Sequence, residues 1–157
     1  MQSAKLIDAF RQIGVRGRMT SAMTAGGIGP AEESLSPLAR RLRREMRGDV
    51  LFDAFSRGRY STDASIYQIM PIGVVVPRTA DDIRVAVEIA RDEGVPVLPR
   101  GAGTSQCGQA VGEALVVDTS KYLREVVSLD TETRRARVRP GVVLDQLNAW
   151  LKPHGLF

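Results

Sequence analysis

The chain has 157 residues, 43% apolar and 25% charged, which suits one globular domain around one core. No apolar run approaches the roughly 18–20 residues of a membrane helix, and a single cysteine excludes an internal disulfide, an iron–sulfur cluster and a cysteine-built zinc site. The formal charge of +4 is uneven: residues 1–60 hold 11 Lys/Arg against 6 Asp/Glu, residues 61–157 hold 11 against 12.

Residues 1–35 begin with a short amphipathic piece, Leu6, Ile7 and Phe10, and then dissolve into Gly, Ser, Thr and Ala. The apolar stretch of a secretory signal is missing, and Asp8 with the glycines speaks against an organelle transit peptide. This segment reads as a flexible basic tail. Residues 36–59 read as helical. Ser36 can cap, Pro37 suits the first helical position, and Leu38, Leu42 and Met46 recur on one face. Arg40, Arg41, Arg43, Arg44 and Arg47 take the other faces. They read as a solvated face, a contact to an acidic partner or another part of the protein, or a nucleic-acid surface. No aromatic residue interleaves them and no binding motif accompanies them, so no nucleic-acid partner is expected.

From residue 60 onward the chain is orderly. Ile72–Val76 is a short apolar run closed by proline, a buried strand. Thr79 caps a helix, with Asp82 three residues on as a capping-box partner. Ile83, Ala86, Val87 and Ala90 are placed on its apolar face, and Gly94 supplies a left-handed end. Val95–Leu98 is a second strand, which makes a βαβ unit with parallel strands and a right-handed crossover. Ala114–Asp118 is a third strand. Residues 126–138 form a hairpin that turns at 130–133, with one solvated face bearing the arginines. After Pro140 and Gly141 comes a short helix with Leu144, Leu147 and Leu151 on its apolar edge, ended by Pro153 and Gly155.

Between the second and third strands lies "PRGAGTSQCGQAVG", residues 99–112, with four glycines. Ligands of open α/β sheets sit beyond the carboxyl ends of strands. Bare backbone there lets N–H groups approach an anion, most plainly a pyrophosphate; Thr104 and Ser105 add hydroxyls, and Arg100 adds a charge for the ligand or a nearby carboxylate. The loop is not a P-loop, since no Gly-Lys-Ser/Thr follows. It is not the dinucleotide fingerprint either: Gly101 and Gly103 fit, but Gln106 stands where the third glycine belongs. On pattern alone a plain surface turn stays open beside the phosphate cradle.

The strand ending in "VVVPRT", the following helix and strand, the "RGAGTS" loop, "LVVDTSKY" and "RVRPGV" together resemble the first half of the FAD-binding domain of the vanillyl-alcohol oxidase/p-cresol methylhydroxylase flavoproteins. More narrowly, they resemble the FAD-linked oxidases of D-lactate, glycolate and D-2-hydroxyglutarate. The resemblance implies an α+β fold: a small βαβ unit plus an antiparallel hairpin sheet flanked by helices, a partial FAD-binding domain over residues 60–157. It implies that Pro99, Arg100, Gly101, Ala102, Gly103, Thr104 and Ser105 wrap the FAD pyrophosphate. Gly108 and Gln109 close the loop, and Pro140 and Gly141 form a second turn near the cofactor. Covalent members of the family often carry a histidine at the position of Thr104, so the resemblance implies non-covalent FAD. The family's domain continues past the counterpart of Phe157, so this chain is expected to be the first part of such a domain, truncated at its C-terminal end. Its partners would be FAD and the rest of the flavoprotein, and its parent would oxidise a 2-hydroxy acid by hydride transfer to flavin. No catalytic residue and no metal ligand is assigned: His154 and Cys107 read as loop residues. The solitary cysteine fits a reducing, cytoplasmic setting. A nucleotide-binding module without catalysis and a basic interaction protein are the alternative readings.

Overall fold

The structure, a computed structural model, describes residues 36–157; the expected flexible basic segment 1–35 lies outside the described residues. Helix α1 spans Pro37–Glu45 and starts as its sequence dictates, with the Ser36 hydroxyl accepting from Ala39 N at 3.2 Å and proline in the first turn. Strand β1, Asp49–Leu51, and helix α2, Ala54–Arg59, follow. β1 lies inside the stretch read as helical. Three residues carry too little alternation to announce a strand, and β1 owes its conformation to antiparallel pairing with the next strand.

Strand β2 is Gly73–Val76, helix α3 is Ala80–Asp92, and strand β3 is Val97–Arg100. The capping box forms as the sequence predicts. Thr79 accepts from Asp82 N at 3.1 Å and Asp82 accepts from Thr79 N at 3.1 Å. Asp82 also accepts from Arg78 N at 2.8 Å and Arg47 N at 2.9 Å, so one buried carboxylate ties the start of α3 to the segments flanking β1 and β2. Gly94 ends the helix with φ of +66°.

Strand β4, Leu115–Asp118, lies between β2 and β3 and is parallel to both, giving the order β1-β2-β4-β3. The two strands of the expected βαβ unit are therefore parallel to the same neighbour but do not touch. All four residues of β2 and of β4 are buried. Val75, Leu115 and Val117 pack with Leu38, Leu42 and Met46 of the first helical segment and Ala86, Ile89 and Ala90 of α3. The apolar face of α3 thus runs through Ile89, and Val87 is turned outward at 44% exposure, contrary to its expected place. The α1 arginines are partly taken up within the protein: Arg41 bonds Asp92 at 2.8 Å and Glu93 at 3.5 Å at the end of α3.

Strands β5, Val126–Asp130, and β6, Arg135–Val138, form a separate antiparallel hairpin. Helix α4, Leu144–Leu151, follows and passes into a short 3-10 turn ended by Gly155. Of its predicted apolar edge only Leu151 is buried, while Leu144 is 68% exposed. No described helix is long and apolar enough to cross a membrane.

Candidate functional site

The carboxyl ends of β2, β4 and β3 point the same way, and the glycine loop leaves from there. Arg100 closes β3. Its carbonyl accepts from Thr119 N at 3.0 Å, just beyond β4. Its guanidinium turns back under the loop. Nη1 donates to Ala110 O at 2.8 Å and Tyr60 O at 3.4 Å, and Nη2 donates to Thr62 O at 2.8 Å. The Tyr60 ring lies 5.3 Å from the guanidinium carbon. The guanidinium whose charge was expected to serve a ligand or a carboxylate is engaged by three backbone carbonyls.

Two loop glycines are explained by what lies beneath them. Gly103 has φ of +70°, and a Cβ there would collide with the Arg100 guanidinium. Gly108 has φ of +80°, and a Cβ would collide with the Tyr67 ring. Gly101 differs: its φ is not in the left-handed region, and no atom lies within 4 Å of the position its Cβ would take. The loop is further pinned by Ala64 N donating to Gly103 O at 3.1 Å and Ala110 N donating to the Asp63 carboxylate at 3.4 Å. Ser105 Oγ bonds Gln109 Oε1 and accepts from Cys107 N at 3.3 Å, which closes the far side.

Pro99, Ala102, Thr104 and Gln109 are exposed. Among the described residues no acceptor takes the backbone N–H groups of Gly101, Ala102, Gly103, Thr104 or Ser105. A run of donors without acceptors among the described residues, beside open space at Gly101, fits an anion with several acceptor oxygens such as a pyrophosphate.

The second predicted turn reaches the same end of the sheet. Gly141 is buried, donates to Leu123 O at 2.8 Å, and a Cβ there would collide with the Thr119 carbonyl. Thr119 thus joins the two predicted pieces, since its N–H bonds Arg100 and its carbonyl packs on Gly141. Pro140 is exposed beside it.

Tyr60, Thr62, Asp118 and Thr119 were missed by sequence reasoning. Tyr60 donates to Asp118 Oδ2 at 2.6 Å, and burial, then that carboxylate, push its pKa up to about 12, so the phenol is a neutral donor at ordinary pH. Nothing local marks these residues, because their partners lie 19 to 58 positions away. Cys107 is an exposed loop residue and His154 is exposed, its ring 5.6 Å from Trp150. A groove between the hairpin and the C-terminal turn is lined by Leu129, Ala136, Leu151 and Leu156 together with Thr131, Arg134 and His154, and lies apart from the glycine loop.

The sequence profile of a family described as an FAD binding domain matches residues 71–157. A D-2-hydroxyglutarate dehydrogenase from Pseudomonas putida is 44% identical over 114 residues, covering 71% of this chain and 11% of that protein. A glycolate oxidase subunit from Bacillus subtilis is 37% identical over 118 residues, covering 72% of this chain and 25% of that one. Among solved structures, an alkyldihydroxyacetonephosphate synthase superposes with a TM-score of 0.67 at 18% identity, over 87% of this chain and 28% of that one. p-Cresol methylhydroxylase superposes with a TM-score of 0.60 at 15% identity, over 79% of this chain and 26% of that one. The chain thus spans about a tenth to a quarter of the curated relatives it matches.

Proposed function

Because the chain belongs to the FAD binding domain family, whose profile covers residues 71–157, we propose that its glycine loop is the pyrophosphate cradle of a non-covalently bound FAD. Gly101, Ala102, Gly103, Thr104 and Ser105 would present their N–H groups to the phosphates. Pro99, Arg100, Gly108, Gln109, Pro140 and Gly141 would shape and close the cradle. The observation that carries this is the row of five loop N–H groups without acceptors among the described residues, at the carboxyl ends of parallel strands. Thr104 in place of the histidine of covalent relatives supports non-covalent attachment.

The relatives matched along this chain are named for oxidation of D-2-hydroxyglutarate and glycolate. The longer protein is therefore read as a flavoprotein that oxidises a 2-hydroxy acid, in which bound FAD would supply the hydride acceptor. This chain's part is to bind and orient the cofactor. It needs further polypeptide to complete the site and to supply acid–base groups, so the chain alone is expected to be inactive. The solitary cysteine supports a cytoplasmic setting.

Titration of the 157-residue chain with FAD, followed by flavin fluorescence and acid precipitation, tests the reading. Saturable binding with colour released by acid is expected. Gly101→Val projects its side chain into the open space and should weaken binding about tenfold or more, with the urea midpoint unchanged. Equal affinity in the variant removes the loop from the site, and colour retained on the precipitate rules out non-covalent attachment.

A further inference from the structure

We propose that Arg100 is a positioning residue that latches the glycine loop to residues 60–64, and that it does not itself meet the phosphates. The inference rests on the loop being the pyrophosphate cradle. Three observations support it. The guanidinium makes three hydrogen bonds, all to backbone carbonyls, and they come from both sides: Ala110 at the far end of the loop, and Tyr60 and Thr62 in the preceding segment. Gly103 lies directly over the fork, so the loop's first turn is folded on the arginine and leaves no room for a side chain between them. Tyr60 stacks on the guanidinium and is itself held by the buried carboxylate of Asp118, the residue paired with Arg100 across β3 and β4.

This gives the Arg-Gly-x-Gly spacing a mechanical reason. A planar fork can satisfy carbonyls in divergent directions at fixed geometry, and lysine, a point charge on a flexible stem, cannot. The latch fixes the loop backbone before a ligand arrives, which lowers the ordering cost of binding.

Residue-resolved amide exchange on the full chain without FAD is the direct test. The Ala64 N–H bonds Gly103 O and the Ala110 N–H bonds Asp63, so both report attachment of the loop. In Arg100→Lys both should exchange about tenfold faster or more, while amides of the buried β4 keep their protection. Unchanged exchange at both overturns the latch. Should β4 lose protection as well, Gly103→Ala reads the same two amides with the arginine retained; faster exchange supports the latch and unchanged exchange overturns it.

FAD affinity at about 0.05 and 0.5 M salt separates position from charge. Arg100→Lys and Arg100→Gln should weaken binding to a similar extent and leave the salt dependence as in the parent chain. Wild-type affinity in Arg100→Lys, or a flattened salt dependence confined to Arg100→Gln, would show a cation meeting phosphate and overturn the proposal. If the parent chain binds no FAD while Ala64 and Ala110 still respond to Arg100→Lys, the latch stands and the cofactor reading falls.

Discussion

Tyr60 donates to Asp118 at 2.6 Å beneath the glycine loop, and its raised pKa of about 12 turns this single contact into a pH-dependent one. An unfolded phenol titrates near pH 10. The stabilisation tied to the neutral phenol is complete below about pH 10 and is lost as pH rises through about 12. Tyr60→Phe removes the donor to a buried carboxylate and should cost about 1–2 kcal/mol at pH 8. Urea unfolding of both proteins between pH 8 and pH 11.5 or so should show the gap closing as the parent chain loses its advantage. A constant gap would mean that the hydroxyl contributes packing alone. The loop glycines were legible in the sequence as bare backbone, but their separate reasons were not, since these depend on Arg100 and Tyr67 lying beneath Gly103 and Gly108.

At the scale of the element, Asp82 binds α3 to its surroundings. Burial raises its pKa, but hydrogen bonds from the N–H groups of Arg47, Arg78 and Thr79, with the Thr79 hydroxyl, outweigh that and hold it below the usual carboxylate range. Its contribution is full above the unfolded value of about 4 and is lost as pH falls through the lower folded value. Asp82→Ala should destabilise by about 2–3 kcal/mol at pH 7 by leaving three backbone donors short of their acceptor. In urea titrations the gap should narrow below about pH 4; a gap that stays constant there would deny the carboxylate its part. The capping box was legible because Thr and Asp at N-cap and N3 are a local code. The bond to Arg47, 35 residues upstream, was not. Val87 was misplaced because α3 carries more apolar residues than its buried face takes, and packing on α1 and the sheet selects Val85, Ala86, Ile89 and Ala90 and turns Val87 outward.

At the scale of the whole molecule, residues 36–59 and the sheet share one core. Leu42 is fully buried and packs with α3 and the sheet, so Leu42→Ala should lower stability by about 3 kcal/mol, read as a shift of the urea midpoint with an unchanged slope. Loss of α1 helicity alone, with the sheet unfolding at its former midpoint, would show that α1 is an appendage. The strand–helix–strand rhythm and the hairpin were legible from periodicity and turn residues. The order of the sheet was not, because β4 is as apolar as β2 and nothing in "LVVD" says which neighbours it takes.

The central place of β4 also sets an order in time. On a growing chain β2, α3 and β3 are complete by residue 100, yet β2 and β3 share no ladder, and the strand that joins them arrives only at residues 115–118. Until then β2 has only β1 to pair with, β3 has no partner strand, and the loop at 101–112 is an open tether. Insertion of β4 is the event that draws β2 and β3 into one layer, brings Thr119 onto Arg100, and converts that tether into a shaped turn. Assembly of the parallel sheet and assembly of the binding loop are then one step, and a chain halted before residue 115 would have neither.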